Sequence, residues 1–203
     1  MTLTRVRLER FTAFKRLDLE LSPGINVLVG ENGTGKTHLM KVCYAACDIS
    51  KTRASFTEKL IDVFLPSGHV PGRLVKRQRG SIRGAVEVFR DGRRLRTSFS
   101  NHAKVSTSAH TTGANDWVAS PVESVYIPVK EMLANGPGFL SLYTQRDIHF
   151  EEIYVDILQR AYLPLVRGPM DKQRRRLFNI LQKAINGQVT IKNVTTKPER
   201  YQG

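Results

Sequence analysis

The sequence predicts an α/β protein with a mixed sheet, an antiparallel hairpin and helices gathered towards its C-terminal end. Three observations carry that expectation. A β-branched run, Ile25 to Val29, leads into a glycine-rich stretch and then into a segment free of Gly and Pro with helical apolar spacing. An Asp91-Gly92 pair separates two alternating segments. Beyond residue 150, apolar residues recur three and four positions apart.

In chain order, Leu3, Val6 and Leu8 alternate with Thr4, Arg5 and Arg7, and Leu17, Leu19 and Leu21 alternate with Asp18 and Glu20, the pattern of two half-buried strands. Ser22, Pro23 and Gly24 make a turn. Ile25 to Val29 then reads as a third strand, covered on both faces. Lys36 to Cys47 is helical, with Leu39, Met40, Cys43, Ala46 and Cys47 at helical intervals, and Phe56 to Leu65 is a second short helix. Pro66 to Ser81 is rich in Pro, Gly and cations and reads as an exposed loop. Ala85 to Phe89 and Leu95 to Phe99 form a hairpin around Arg90 to Arg93. Ser100 to Ala119, rich in Ser, Thr, Ala and Asn, is expected to be a mobile connection. Glu123 to Ile127 returns as a buried strand ending at Pro128. Glu151 to Val166 and Lys172 to Ile185 are helices separated by Gly168 and Pro169, and Gln188 to Val194 alternates as a final strand.

The chain of 203 residues, 40% hydrophobic and 25% charged, has the composition of a soluble globular protein of one domain with or without an appendage. A formal charge of +14 suits phosphate-rich or acidic partners. Cys43 and Cys47, four apart in one helix, fit neither a disulfide framework nor a four-ligand zinc site and read as reduced core thiols. The N-terminus interleaves cations with apolar residues and carries no export signal, and no apolar run reaches the roughly 18 to 20 residues that span a bilayer. The reading is cytoplasmic, with no membrane partner.

The chemistry is concentrated at Gly30, Glu31, Asn32, Gly33, Thr34, Gly35, Lys36 and Thr37, which match GxxxxGK[ST] in full. Strand, glycine loop and helix follow in the order a P-loop requires. Three glycines let backbone N–H groups close around a phosphate, and the helix that follows points its positive end at the same anion. Lys36 bridges the β and γ oxygens of a nucleotide, the Thr37 hydroxyl is a ligand of its magnesium, and His38 adds its backbone N–H. No NKxD element of the guanine-reading kind is found, so ATP with Mg2+ is favoured over GTP.

The wording GENGTGKT, with Asn32 inside the loop, resembles the GxNGxGK[ST] variant of ABC/SMC-like ATPases, the RecF-like and OLD-like group among them. The opening RVRLERFTAFKRLDLELSPGINVLVGENGTGKTHLMK looks like that group's N-terminus, and SVYIPVKEML, Ser124 to Leu133, is more loosely similar to a later element. The resemblance implies an AAA-type P-loop ATPase head lobe: residues 1–50 as P-loop core, 66–120 as a basic loop and hairpin insertion, and 150–194 as a helical part, together one ATP-binding lobe over 1–203. It also implies that the turn Phe11 to Lys15 approaches the adenine or ribose, and that Lys130 and Glu131 lie near a γ-phosphate sensor, although no glutamine stands there.

The same resemblance demands a strand ending in Asp-Glu and an LSGGQ-like segment. Neither is recognisable. Lys59 to Val63 gives only two apolar residues before Asp62, Tyr154 to Asp156 lies in an amphipathic helix, and Glu151 and Glu152 have no strand before them. The chain is therefore read as incomplete: a fragment, a truncated product or one half of a split ATPase, completed by a second ATPase head or a C-terminal lobe. Catalytic residues are left unassigned.

Two other functions compete. Arg73, Lys76, Arg77, Arg79 and Arg83, with Arg90, Arg93, Arg94 and Arg96, could track DNA, so that the P-loop is only scaffold for a nucleic-acid module. A small-molecule kinase also begins with strand and P-loop, but two strands ahead of the loop argue against it. Lys172, Arg174, Arg175 and Arg176 open the last helix where cations are unfavourable and invite an acidic partner.

Overall fold

The computed structural model describes residues 2–130, 132, 136–145, 149–163, 171–185 and 187. They fall into two compact units, residues 1–161 and 162–203.

In the first unit β1 (Leu3–Phe11) turns tightly into β2 (Phe14–Glu20), and β3 (Arg83–Arg90), β4 (Arg93–Ser100) and the short β5 (His110–Thr112) complete a sheet of order β2-β1-β3-β4-β5. Every pairing is antiparallel. Alternation sorts the side chains as the period of a strand requires. Val6, Leu8, Val86, Val88, Leu95 and Phe99 are buried on the inner face. The outer face carries charge: Arg5 and Arg7 bond Asp18, while Arg94 and Arg96 both bond Glu87.

Helices α1 (Lys36–Thr52) and α2 (Phe56–Phe64) cover the inner face, burying Val42, Ala45, Ala46 and Ile49 from one and Phe56, Leu60 and Val63 from the other. Ser55 caps α2 by accepting from the Glu58 N–H, and α1 stops at Arg53, which takes the left-handed conformation at φ 57°. The buried hydroxyl of Thr57 on α2 meets that of Thr97 on β4 at 2.8 Å, and Thr111 on β5 donates to the same Thr97 at 3.0 Å. Three further helices, α3 (Ala114–Val118), α4 (Gly136–Gln145) and α5 (Glu152–Ala161), belong to the same unit. The second unit contributes α6 (Lys172–Ile185).

Four expectations are corrected. Ile25 to Val29 is not a buried strand: it is extended but unpaired, with Ile25, Val27 and Val29 exposed to 91%, 78% and 90%. Glu123 to Ile127 is likewise extended, unpaired and open, with Ile127 exposed to 83%. Both segments have the alternation of strands, but β2 and β5 form the two edges of the sheet, and among the described residues no strand lies beside either segment to take its backbone hydrogen bonds. The sheet is therefore antiparallel rather than mixed. The third correction is Ser100 to Ala119, expected to be mobile. It holds β5 and α3 and is pinned by fully buried Trp117, whose indole N–H donates to the Ala46 carbonyl of α1 at 2.6 Å. The fourth is Pro66 to Ser81, where two 3-10 turns, Ser67–His69 and Pro71–Leu74, bury Leu74 and Val75, so that only its latter part is an open loop.

The hairpin at Asp91-Gly92 is as expected, both residues taking positive φ with Arg90 paired to Arg93. So is the turn after β2, which the Asn26 amide closes by accepting from the Ser22 N–H and donating to the Ser22 and Gly24 carbonyls. The expected strand Gln188 to Val194, the boundary at Gly168 and Pro169, and Glu131 lie outside the described residues.

Candidate functional site

The glycine loop runs from Gly30 to Gly35 and becomes α1 at Lys36. Gly35 sits at the helix cap with φ 101°, a left-handed conformation that side chains resist. It is also enclosed: a Cβ there would lie 2.6 Å from the Phe14 ring and 3.1 Å from the Ala13 Cβ. Gly33, at φ 81°, needs glycine for conformation alone, since nothing crowds it. Within the loop, the Thr34 hydroxyl donates to the Glu31 carbonyl at 2.9 Å.

The first helical bond of α1 runs from the Leu39 N–H to the Gly35 carbonyl at 2.9 Å. The amides of Lys36, Thr37 and His38 accordingly have no acceptor within the helix and face its N-terminal end. No acidic residue stands in the first turn to neutralise the positive end of the helix. The Lys36 ammonium folds back over the loop and donates to the carbonyls of Gly30 at 2.5 Å and Glu31 at 2.6 Å. Those carbonyls hold the cation where an anion in the loop would meet it. The Thr37 side chain is exposed. Glycine loop, ammonium, hydroxyl and free amides thus converge as a cradle for a polyphosphate and its divalent cation, and the residues present fit magnesium-bound ATP.

His38, half-buried, has no hydrogen-bond partner for Nδ1 among the described residues and lies 5.5 Å from the Phe64 ring. Burial and nearby Lys41 push its pKa below the usual value, against a weaker pull from Glu151. Its ring packs against Phe64, which leaves the backbone N–H as the part of His38 at the head of α1.

The turn between β1 and β2 supports the loop from behind, a role its sequence did not announce. Phe11 is fully buried and so unavailable to a base; Ala13 and Phe14 face Gly35 instead. The turn is itself tied to the start of the basic loop. Thr12 donates its N–H to the Leu74 carbonyl at 2.7 Å, Lys76 donates its N–H to Arg10 at 2.9 Å, and the Lys76 ammonium reaches the Ala13 carbonyl at 2.5 Å.

The acids weighed as catalytic candidates are engaged elsewhere. Lys59, only 4% exposed, ion-pairs with Asp48 at 2.9 Å, Glu152 at 2.9 Å and Asp156 at 3.0 Å, while the Tyr44 hydroxyl donates to Asp156 and Lys41 pairs with Glu151. Burial alone would lower the Lys59 pKa; the carboxylates, Asp156 first, outweigh it and hold the ammonium above its ordinary value. Burial raises Glu152 despite Lys59. Asp62 lies on α2 and is raised by its own burial. The pairs made by Lys59, Lys41 and Tyr44 fasten Glu151 and α5 to α1 and α2, and none of these bonds involves the glycine loop.

The basic cluster also divides. Arg90 is fully buried, stacked 4.4 Å from the Trp117 ring and donating to the Trp117 and Ser120 carbonyls. Arg94 and Arg96 are committed to Glu87 and Lys76 to Ala13. Arg73, Arg77 and Arg79 are exposed and remain available to solvent-side partners.

Beside the cradle opens a groove of about 790 Å³. Its walls are the two unpaired extended segments, with Val27 and Leu28 on one side and Val125 and Ile127 on the other; Leu39, Met40, Cys43, Tyr44 and Cys47 of α1 form its floor, and Lys36 and Thr37 border it. Cys43 and Cys47 are half-buried and line this groove rather than a sealed core. Among the described residues no helix is long and apolar enough to cross a membrane.

A family model described as an AAA domain matches residues 5–113. The chain is 28% identical over 106 residues to the DNA replication and repair protein RecF of Bacillus mycoides, a stretch covering 52% of this chain and 28% of that protein. It is 29% identical over 107 residues to the protein of the same name from Limosilactobacillus fermentum, covering 53% and 28%. Over 47 residues it is 53% identical to that of Acidothermus cellulolyticus, covering 23% and 13%. The match thus spans less than a third of the length of each of these relatives.

Proposed function

Since the chain belongs to the AAA domain family, we propose that it is the ATP-binding N-terminal lobe of an ABC/SMC-like ATPase that works in the cytoplasm. The observation that carries the reading is the cradle: three glycines, the Lys36 ammonium held over the loop by two carbonyls, and unpaired amides at the head of α1. Gly30 to Thr37 would hold the triphosphate, with the Lys36 ammonium as its cation, the Thr37 hydroxyl as the group that would hold Mg2+, and His38 contributing its backbone N–H. ATP with its magnesium supplies the phosphoanhydride; the chain's own contribution is to bind and orient it.

The engagement of Glu151, Glu152, Asp48 and Asp156 in ion pairs supports a separation of binding from hydrolysis. Hydrolysis follows when a second head or a C-terminal lobe supplies the acid that polarises water and the segment that closes over the γ-phosphate. The relatives, named for DNA replication and repair, support a place in DNA maintenance rather than antiphage defence, with exposed Arg73, Arg77 and Arg79 as DNA-facing cations.

Isothermal titration of the full chain with ATP and Mg2+ tests the central claim. Binding in the parent and its loss in Lys36→Ala, with the unfolding midpoint unchanged, is the expected result. Absence of binding at millimolar ATP in folded protein, or equal binding by the variant, would overturn it.

A further inference from the structure

We propose that the cavity lined by α2, α4 and α5 is a binding site for a small organic cation, an ammonium or guanidinium group carried on an aromatic or apolar body. It shares no residue with the nucleotide cradle.

The cavity measures about 670 Å³, within the range of about 300–1,000 Å³ that small-molecule sites occupy. Several stretches of the first unit line it. Asp62 and Leu65 come from the last turn of α2 and its cap, and His69 from the 3-10 turn that follows. Leu140, Tyr143 and Thr144, three and four positions apart, present one face of α4. His149 and Phe150 precede α5, and Val155 and Gln159 of α5 complete the wall one turn apart. The aromatic side is set in place by its neighbours. Phe150 meets Phe139 at 5.1 Å and Tyr154 at 6.0 Å, both edge to face, and Phe139 stacks on Tyr143 at 6.3 Å.

The polar groups in this wall are without partners. Among the described residues the side chains of Asp62, His69, Tyr143, His149 and Gln159 make no hydrogen bond or ion pair. The two imidazoles meet only edge to face, with centroids 6.1 Å apart. A carboxylate withdrawn from water ordinarily finds a cation or hydrogen-bond donors. Half-buried Asp62 has neither, and burial raises its pKa against a weaker pull from Lys59 and His69. The Lys59 ammonium is already shared among Asp48, Glu152 and Asp156 at 2.9, 2.9 and 3.0 Å.

These groups set the sign of the ligand. Although the chain carries +14, the carboxylates of Asp48, Glu152 and Asp156 crowd the single ammonium of Lys59, and Asp62 adds another in the cavity wall. The Tyr143 hydroxyl registers the resulting field: after burial, Glu152, Asp62 and Asp156 push its pKa up, and Lys59 offsets them only in part. An anion, a nucleotide's polyphosphate included, is repelled here. An ammonium or guanidinium gains a charge-assisted hydrogen bond to Asp62 and aromatic rings to lie against. A metal ion is a poorer occupant, since among the described residues no three of His, Cys, Asp and Glu are grouped to hold one. A neutral apolar ligand fills the wall but leaves Asp62 without a partner. Exposed His69, Thr144, His149 and Gln159 offer hydrogen bonds to a polar tail on the far end of the ligand.

Tyramine is the probe, because it joins an ammonium to a phenol ring and has two relatives with the same body. Tyrosol carries a hydroxyl in place of the amine, and 3-(4-hydroxyphenyl)propionate carries a carboxylate. Isothermal titration of the full chain at neutral pH is expected to show tyramine bound, tyrosol weaker by about tenfold or more, and the propionate not bound. The imidazole C–H resonances of His69 and His149 shift as tyramine is added. Asp62→Asn weakens tyramine by about tenfold or more, with an unfolding midpoint no lower than the parent's. Thr144→Trp, at an exposed position in the wall, fills the cavity and abolishes binding while leaving Asp62 in place.

Equal affinity for tyramine and tyrosol would reduce the cavity to an apolar hollow, and tighter binding of the propionate would assign the charge to the histidines; either overturns the proposal. So does parental affinity in Asp62→Asn or in Thr144→Trp, or no binding of tyramine at millimolar concentration. Lys36→Ala is expected to bind tyramine as the parent does, with magnesium-bound ATP present or absent. Displacement of tyramine by ATP would place it in the nucleotide cradle and overturn the separate site, whereas failure of the chain to bind ATP would leave this site standing.

Discussion

Replacing Gly35 by alanine probes the point where sheet and phosphate loop meet. Two separate penalties arise. A left-handed conformation such as φ 101° costs an L-residue about 1–2 kcal/mol. The added Cβ, 2.6 Å from the Phe14 ring and 3.1 Å from the Ala13 Cβ, must displace one of them, an overpacking that costs about 1–3 kcal/mol. Against these, alanine restricts the unfolded chain and returns about 0.4–1 kcal/mol. The net expectation is a loss of about 1–5 kcal/mol in urea unfolding, with ATP affinity lowered because the head of α1 shifts. The two penalties respond differently to a second change. Phe14→Ala relieves the crowding but not the conformational strain, so a double-mutant cycle gives a favourable coupling of about 1–2 kcal/mol, while ATP affinity is only partly restored. Gly35→Ala with parental stability, or a coupling of zero, would refute the account of how the turn supports the loop.

Three further outcomes follow from groups away from the loop. Lys59→Met leaves Asp48, Glu152 and Asp156 facing one another without their cation, a loss of about 3–5 kcal/mol at pH 7 measurable by chemical denaturation. Glu152 is already raised, and a raised carboxyl favours the folded state below its unfolded pKa and loses that contribution as pH rises through the folded value; the variant's deficit therefore shrinks between about pH 7 and pH 5, and a pH-independent deficit would contradict this. Thr97→Val removes the group that Thr57 and Thr111 both engage, and thermal unfolding should show a loss of about 1–3 kcal/mol, absent in Thr112→Val at the exposed end of β5. Burial pushes the Cys47 and Cys43 thiols up to about 11 and about 12, so iodoacetamide reactivity of the unliganded chain climbs throughout the range from about pH 7 to pH 10; a plateau near the free-thiol value of about 8.5 would show them ordinary.

The parts of this molecule legible in its sequence are those whose cause is local. Asp91-Gly92 dictates its own turn, and the glycine spacing of the loop carries its own conformational demands, so hairpin and cradle were readable from a few residues each. Helix α1 was read to Cys47 but runs to Thr52, because its end is made by Arg53 in a left-handed conformation, with no glycine to announce it. Ser100 to Ala119 looked mobile because its composition is polar; what orders it is one tryptophan reaching a carbonyl 71 positions earlier. Charge was visible as composition, but its disposition was not: nothing in the spacing of Arg90, Arg94 and Arg96 tells that one hides beneath an indole while two share Glu87. The apolar walls at 25–29 and 123–127 had the right propensity for strands, yet a strand is completed only by a neighbour, and neighbours are not encoded locally. The support of Gly35 by Phe14 joins residues 21 positions apart and leaves no pattern to find.

The lone tryptophan gives the molecule a built-in optical gauge. Trp117 sits between a guanidinium on β3 and a carbonyl midway along α1, so its emission is set by a cation on one side and a hydrogen bond on the other. The helix that holds that carbonyl begins at Lys36. Any loosening of α1 against the sheet must change the indole's surroundings, and fluorescence from the unlabelled protein can follow it through a titration or an unfolding experiment without a competing indole signal.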